Sequence, residues 1–253
     1  MDLVNPVSST QRDGESFNDI NQRRPATLIH TSDCHLDKVF DGPEQRAFSA
    51  VVDLAISRDA DALLIAGDLF DHNRVKPEIV HWAASELNRF SGPVVLLVGN
   101  HDVLHEASIH RKHDLRELCD RLFMLDNPDG DSFDVPGTEI TVWGRAMLEH
   151  APEFRPLHGA PPARADRWSV IAAHGLVNAE AGRSSPIYTT DLSQLDADYV
   201  ALGHVHVHSV VHENPLTLYS GSPHNWSSGQ GGCVVVDFAP DNQVRAEWIS
   251  LLL

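Results

Sequence analysis

A chain of 253 residues, 42% hydrophobic and 22% charged, can bury a large core and has the composition of a globular protein. Its net charge of −17 argues against a broad basic face for nucleic acid, and it lacks the apolar run of about 20 residues that a membrane span needs. Cys34, Cys119 and Cys233 are odd in number and far apart, which suits neither a disulfide framework nor a zinc ribbon and predicts a cytoplasmic protein.

Residues 1–25 are polar and aperiodic, with no apolar stretch of a signal peptide, and predict a disordered tail. TLIHTSD (27–33) then reads as an apolar strand ending in Ser32 and Asp33. Phe48, Val51, Val52, Ala55 and Ile56 recur on one helical stripe. DALLIAGD (61–68) is a second buried strand. Pro77 opens a helix whose apolar face is Ile79, Trp82, Ala83, Leu87 and Phe90. PVVLLVGN (93–100) is a third strand. Continuous aliphatic strands alternating with amphipathic helices predict a parallel sheet covered on both faces. After about residue 130 the chain turns to short strands: EITVWG, WSVIAAHG, DYVALGH, HSVVHE, LTLYSG, GCVVVDF and VRAEWISL. Between the first two of these, 149–166 is a surface loop rich in Pro and Ala.

The strands share a feature: each strong one ends in groups able to hold a metal. The first offers Asp33 and His35, the second Asp68, the third Asn100 and His101; later come His174, His204 and His206. In a parallel sheet such groups gather beyond the carboxyl ends of the strands. Taken singly, each has a plain structural reading. Asp68 can open a turn, Asn100 can sit in a left-handed turn, and His174 can be a satisfied core histidine. Two histidines at i, i+2, as in GHVH, face the same way on a strand, which is more telling. The remaining histidines, among them His72, His110 and His150, read as structural or solvated.

The ordered set Asp33-x-His35, Gly67-Asp68-x-x-Asp71, Gly99-Asn100-His101-Asp102, His174 and Gly203-His204-x-His206 resembles the five-block signature of the calcineurin-like metallophosphoesterases. AGDLFD, DYVALGHVH and LYSGSP are similar to stretches of the DNA-repair exonucleases of the SbcD-like branch. The resemblance runs from about residue 26 to the C-terminus. It implies an α/β fold, a four-layer α/β/β/α sandwich, with a binuclear metal centre at the strand ends. It assigns Asp33, His35, Asp68 and His206 to one ion and Asp68, Asn100, His174 and His204 to the other, with Asp68 bridging. It makes His101 the general acid and Asp71 the group that orients it. A shared anionic ligand offsets the repulsion of two cations that a hydroxide can bridge as nucleophile, and a thiolate-free N/O set suits Mn²⁺, with Fe or Zn²⁺ as alternatives. Asp102 is read as a cap on the following turn.

These features together predict one catalytic domain over 26–253 with no separate capping domain. They predict a metal-dependent phosphoesterase acting on phosphodiesters in the manner of a nuclease. Small nucleotides or another small phosphodiester are the alternative substrates, and a non-catalytic scaffold that keeps the fold is a third reading. His72 stands where the Ser/Thr phosphatases of the superfamily carry an arginine, which disfavours that activity. Arg74 and Arg183 are the expected substrate-binding cations, with Lys76, Arg111 and Lys112 also near motif loops. Net charge predicts a short or single-stranded nucleic acid as substrate, and a partner protein for any extended DNA.

Overall fold

The computed structural model describes residues 23–37, 42–178, 185–224 and 230–251. Most of the expected tail, and Arg183, lie outside these residues. In chain order the elements are β1 (Ala26–Thr31), α1 (Pro43–Ser57), β2 (Ala62–Ala66), α2 (Pro77–Leu87), β3 (Val94–Leu97), α3 (Ile109–Lys112), β4 (Leu122–Leu125), β5 (Asp131–Asp134) and β6 (Ile140–Gly144). They continue with β7 (Trp168–His174), β8 (Leu176–Val177), β9 (Pro186–Ile187), α4 (Thr189–Leu192), β10 (Tyr199–Gly203), β11 (Ser209–Glu213), β12 (Leu216–Tyr219), β13 (Gly232–Phe238) and β14 (Val244–Ser250).

Two six-stranded sheets result, ordered β14-β13-β1-β2-β3-β4 and β11-β12-β10-β7-β6-β5. Strands β1 to β4 are parallel, as are β6, β7, β10 and β12. The parallel runs are aliphatic throughout because both their faces are buried. On β2, Leu63 and Ile65 face the helices, while Leu64 faces the second sheet. Trp168, Val170, Tyr199 and Leu218 of the second sheet complete the layer between the sheets. Helices α1 and α2 cover the outer face of the first sheet, with Phe48, Val51, Val52, Ile79 and Ala83 buried. Phe48, Val51, Val52 and Ile79 each contribute about 1.5–3 kcal/mol by leaving water, and Ala83 less. The outer face of the second sheet carries a thinner layer: α4 has four residues, and Leu157 of the 149–166 loop and Ile187 pack beside it.

The expected helices and strands form, with local differences. The buried stripe of α1 includes Ala47 and leaves Ile56 45% exposed. Strands β4 and β5 lack a sequence signal of their own. β5 (DSFD) is an edge strand whose aspartates give it a polar rim; Phe133 stacks on Phe123 of β4 at a centroid distance of 4.2 Å. At the opposite end from the strand carboxyl termini, Arg23 lies over the Trp168 ring (3.6 Å) and pairs with Asp198 (2.8 Å). Contacts with the fold thus begin, among the described residues, three residues before β1.

Candidate metal centre

Five parallel strands deliver the candidate ligands. The turn after β1 carries Asp33 and His35, that after β2 Asp68, that after β3 Asn100, β7 ends in His174, and the turn after β10 carries His204 and His206. Asp33, His35, Asp68 and His204 all have positive φ (53°, 48°, 53° and 101°). Left-handed backbone costs a non-glycine residue roughly 1–2 kcal/mol. Four such residues on four ligands show that the sheets hold these turns against local preference. Gly99 lets two of the turns meet, since a Cβ there would lie 2.1 Å from Asp68 Oδ1.

The donor atoms fall into two overlapping groups. In the first, His35 Nε2 and His206 Nε2 are 3.1 Å apart, Asp33 Oδ1 lies 3.9 and 3.7 Å from them, and Asp68 Oδ2 is 3.8 Å from His35 Nε2. In the second, Asn100 Oδ1 is 2.9 Å from His174 Nε2 and 2.8 Å from His204 Nδ1, and Asp68 Oδ2 is 3.3 Å from His174 Nε2. Ligand atoms about 2.0–2.2 Å from one cation sit roughly 3–3.5 Å from each other; the second group has about that spacing, and the first is a few tenths of an ångström wider at its carboxylates. Tautomers agree. His35 Nδ1–H donates to Asp71 Oδ1 (3.0 Å) and His174 Nδ1–H to the Ala66 carbonyl (2.9 Å), which turns the Nε2 lone pair of each into the site.

Charge makes the same case. Asp33 and Asp68 are 0% and 1% exposed, and neither pairs with Lys or Arg among the described residues. Asp33 is held by the His204 N–H (3.0 Å) and the Ser32 hydroxyl. Two buried carboxylates without a permanent counter-charge call for a cation. Burial alone would push Asp68 up and His174 down. Their mutual attraction wins, holding Asp68 well below the usual carboxylate range and His174 raised to about 9. His204 is pushed down to about 4 by burial and by His174, and burial lowers His35 as well. His35 and His204, held against protonation beside these carboxylates, offer lone pairs to a divalent metal, and a cation bound there would take the place of the His174 proton.

His101 stands at the edge of this cluster. Its N–H donates to Asp68 Oδ1 (2.9 Å), its Nδ1–H to the Asp71 carbonyl (2.7 Å), and its side chain is 42% exposed. The Asp71 carboxylate is closer to His35 (3.0 Å) than to His101 Nδ1 (3.6 Å), so it braces a ligand as well as His101. His35, Asp68 and His101 also form a three-residue donor group, as do Asp37, Asp71 and His72 at the rim. Arg74 is exposed and makes no ion pair among the described residues; its backbone N–H donates to His72 Nδ1 (3.2 Å).

Some site residues escape a reading of the sequence. His150 lies within electrostatic reach of Asp68, His101 and His174, with its pKa lowered mainly by burial; nothing in its surface-loop context announces that position. Ser220 and Ser222 of LYSGSP reach back to the first turn, Ser220 to the Ser32 hydroxyl and Ser222 to the Asp33 carbonyl, each at 2.8 Å. Asp102 is fully buried and does not cap the turn that follows. It accepts from the Gly99 N–H before it (2.8 Å), from the Phe70 N–H (3.2 Å) and from His110 Nε2–H (3.0 Å).

Comparison with known proteins agrees with this geometry. Residues 26–208 match the family described as calcineurin-like phosphoesterase. The chain is 30% identical over 232 residues to the DNA double-strand break repair protein Mre11 of Haloferax volcanii, covering 85% of this chain and 50% of that one. It is 26% identical over 285 residues to a subunit of the nuclease SbcCD of Bacillus subtilis, covering 89% and 69%. The chain spans about half the length of the curated relatives it matches. Its fold is similar to that of a dimetal phosphatase from Danio rerio (TM-score 0.58, 11% identity, 89% of this chain and 96% of that one).

Proposed function

The chain belongs to the calcineurin-like phosphoesterase family, and on that premise we propose that it hydrolyses phosphodiester bonds at a centre of two divalent cations, in the manner of a nuclease. The observation that carries this reading is the sharing of Asp68 Oδ2 between two donor groups, 3.8 Å from His35 Nε2 and 3.3 Å from His174 Nε2. We assign Asp33, His35, Asp68 and His206 to one cation and Asp68, Asn100, His174 and His204 to the other. When bound, the two cations supply the Lewis acidity that activates the attacking water and offsets charge on the phosphoryl group. The thiolate-free donor set favours Mn²⁺, with Fe or Zn²⁺ next.

His101 is the general acid in this reading. Its Nδ1–H is engaged by the Asp71 carbonyl, which leaves the far side of a half-exposed ring to deliver a proton to the leaving oxygen. Asp71 orients the ring from the same residue. Arg74 and Arg183 remain proposed contacts to substrate. The acidic chain favours a short or single-stranded phosphodiester, and a small nucleotide is the second reading that the charge of −17 supports. Extended DNA would then be bound through a partner protein. Buried, unpaired Cys34, Cys119 and Cys233 suit a reducing cytoplasm.

The test is His101→Ala. The variant is expected to retain two Mn²⁺ by elemental analysis. It should lose roughly 10²- to 10⁴-fold in kcat on phosphodiesters with poor leaving groups, and far less on p-nitrophenyl esters. Equal loss on both substrates, or loss of metal, would point to His101 as a ligand and overturn the assignment.

A further inference from the structure

We propose that Asp102 and His110 form a positioning pair for the reaction, locking the turn that carries Asn100 and His101 onto the turn that carries Asp68 and Asp71. The inference rests on the reading of His101 as general acid. Asp102 follows the two functional residues of its own turn, yet its side chain points inward and is 0% exposed. One carboxylate oxygen accepts from the Gly99 N–H (2.8 Å), one residue before Asn100. The other accepts from the Phe70 N–H (3.2 Å), between Asp68 and Asp71, and from His110 Nε2–H (3.0 Å). One buried group thus ties together the backbones that present the shared ligand, a second ligand, the acid and its orienting residue.

His110 completes the pair from a separate element, the one-turn helix α3. It is 3% exposed, and its Nδ1 has no hydrogen-bond partner among the described residues. Among those residues Asp102 is therefore the ring's single side-chain polar anchor, and Phe70 packs on the ring at a centroid distance of 5.4 Å. A buried imidazole with one nitrogen unsatisfied is unfavourable by itself. Its place is explained if it aims the Asp102 carboxylate, whose three donors fix the separation of the two turns. That separation is tight, since the His101 N–H already bonds Asp68 Oδ1 at 2.9 Å and no Cβ fits at Gly99. Misplacing a reacting group by about 1 Å can lower a rate roughly 10²-fold.

The test compares His110→Phe, which fills the volume without a donor, with His110→Gln, whose amide can place an N–H near the original Nε2. Kinetics on phosphodiesters with good and poor leaving groups are read alongside Mn²⁺ content, with His101→Ala and the His101→Ala/His110→Phe double variant. His110→Phe is expected to keep its metal and KM and to lose about 10- to 100-fold in kcat on the poor leaving group. His110→Gln should recover most of that loss. In the His101→Ala background His110→Phe should cost little more, because bound cations would themselves hold Asn100 and Asp68, and His101, the residue of that turn that relies on the pair alone, is gone. Should His110→Phe fail to fold, Asp102→Asn, which keeps the volume and one acceptor, is read for the same pattern. Wild-type kcat in His110→Phe, or an equal loss with and without His101, would overturn the pair while leaving the acid in place. Wild-type kcat in His101→Ala would instead overturn the general-acid reading, and the pair's role with it.

Discussion

Asp68 is the residue on which the centre turns. Its side chain faces His35 and His174 and accepts the His101 N–H, so it touches both donor groups and the acid. Asp68→Asn keeps the shape but removes the charge that would offset two cations in the proposed centre. We expect Mn²⁺ content after loading to fall from two equivalents towards one; two equivalents retained would refute the shared ligand. His30, on β1, makes a different prediction. The Tyr199 hydroxyl donates to its Nδ1 (2.8 Å), and burial pushes its pKa from 6.5 down to about 3. The folded pKa lies below the unfolded one, so the unfolded chain takes up the proton first. The stabilising effect of neutral His30 is full above pH 6.5 and is lost as pH falls from there towards 3. One such group contributes a slope of about 1.4 kcal/mol per pH unit. His30→Leu should reduce the slope of urea-unfolding stability between about pH 6 and pH 5 by nearly that amount; an unchanged slope would show that other groups govern acid sensitivity.

At the scale of elements, strands act as rigid arms and the turns after them carry the candidate ligands. β2 and β3 pair in register from Leu63 with Val94 to Ala66 with Leu97, so their turns emerge side by side. The turns meet where Gly99 faces Asp68. Two glycine variants separate crowding from backbone strain. Gly99→Ala would drive a Cβ into Asp68 Oδ1 and its backbone nitrogen, at 2.1 and 2.6 Å. Gly137→Ala, with φ of +77° and nothing within 4 Å, meets only conformational strain. Urea unfolding should show a loss of about 1–2 kcal/mol for Gly137→Ala. Gly99→Ala should lose more, together with bound Mn²⁺. Equal effects would mean that the turns have room to move apart. This contrast was half legible beforehand: Gly99 stood out inside GNHD, but that its missing side chain makes room for Asp68 depends on the pairing of β2 with β3.

For the whole molecule, net charge is the feature on which the proposed choice of substrate rests. With a net charge of −17 the chain is expected to meet net repulsion from a long duplex, with little counterion release. We expect a short single strand to be cleaved in the presence of Mn²⁺ and a long duplex to bind weakly, in anisotropy measurements at two salt concentrations. Tight duplex binding by this chain with a steep salt slope would overturn the charge argument. Failure to cut any nucleic acid alongside fast turnover of a small phosphodiester would favour the second reading.

The sequence by itself determined the kinds of groups at the centre and the strands that bear them, because a ligand must be chemically able to bind and because continuous aliphatic runs bury on both faces wherever they occur. It carried the alternation of helix and strand for the same reason: periodicity is local. It did not carry β4 and β5, since LFML and DSFD take their structure from their neighbours. Nor did it reveal the inward turn of Asp102, the arrival of His110 beneath it, the approach of His150, or the reach of Ser222 back to Asp33 across 189 residues. Those contacts were decided by the tertiary structure, which alone sets which turns meet and what fills the space between them.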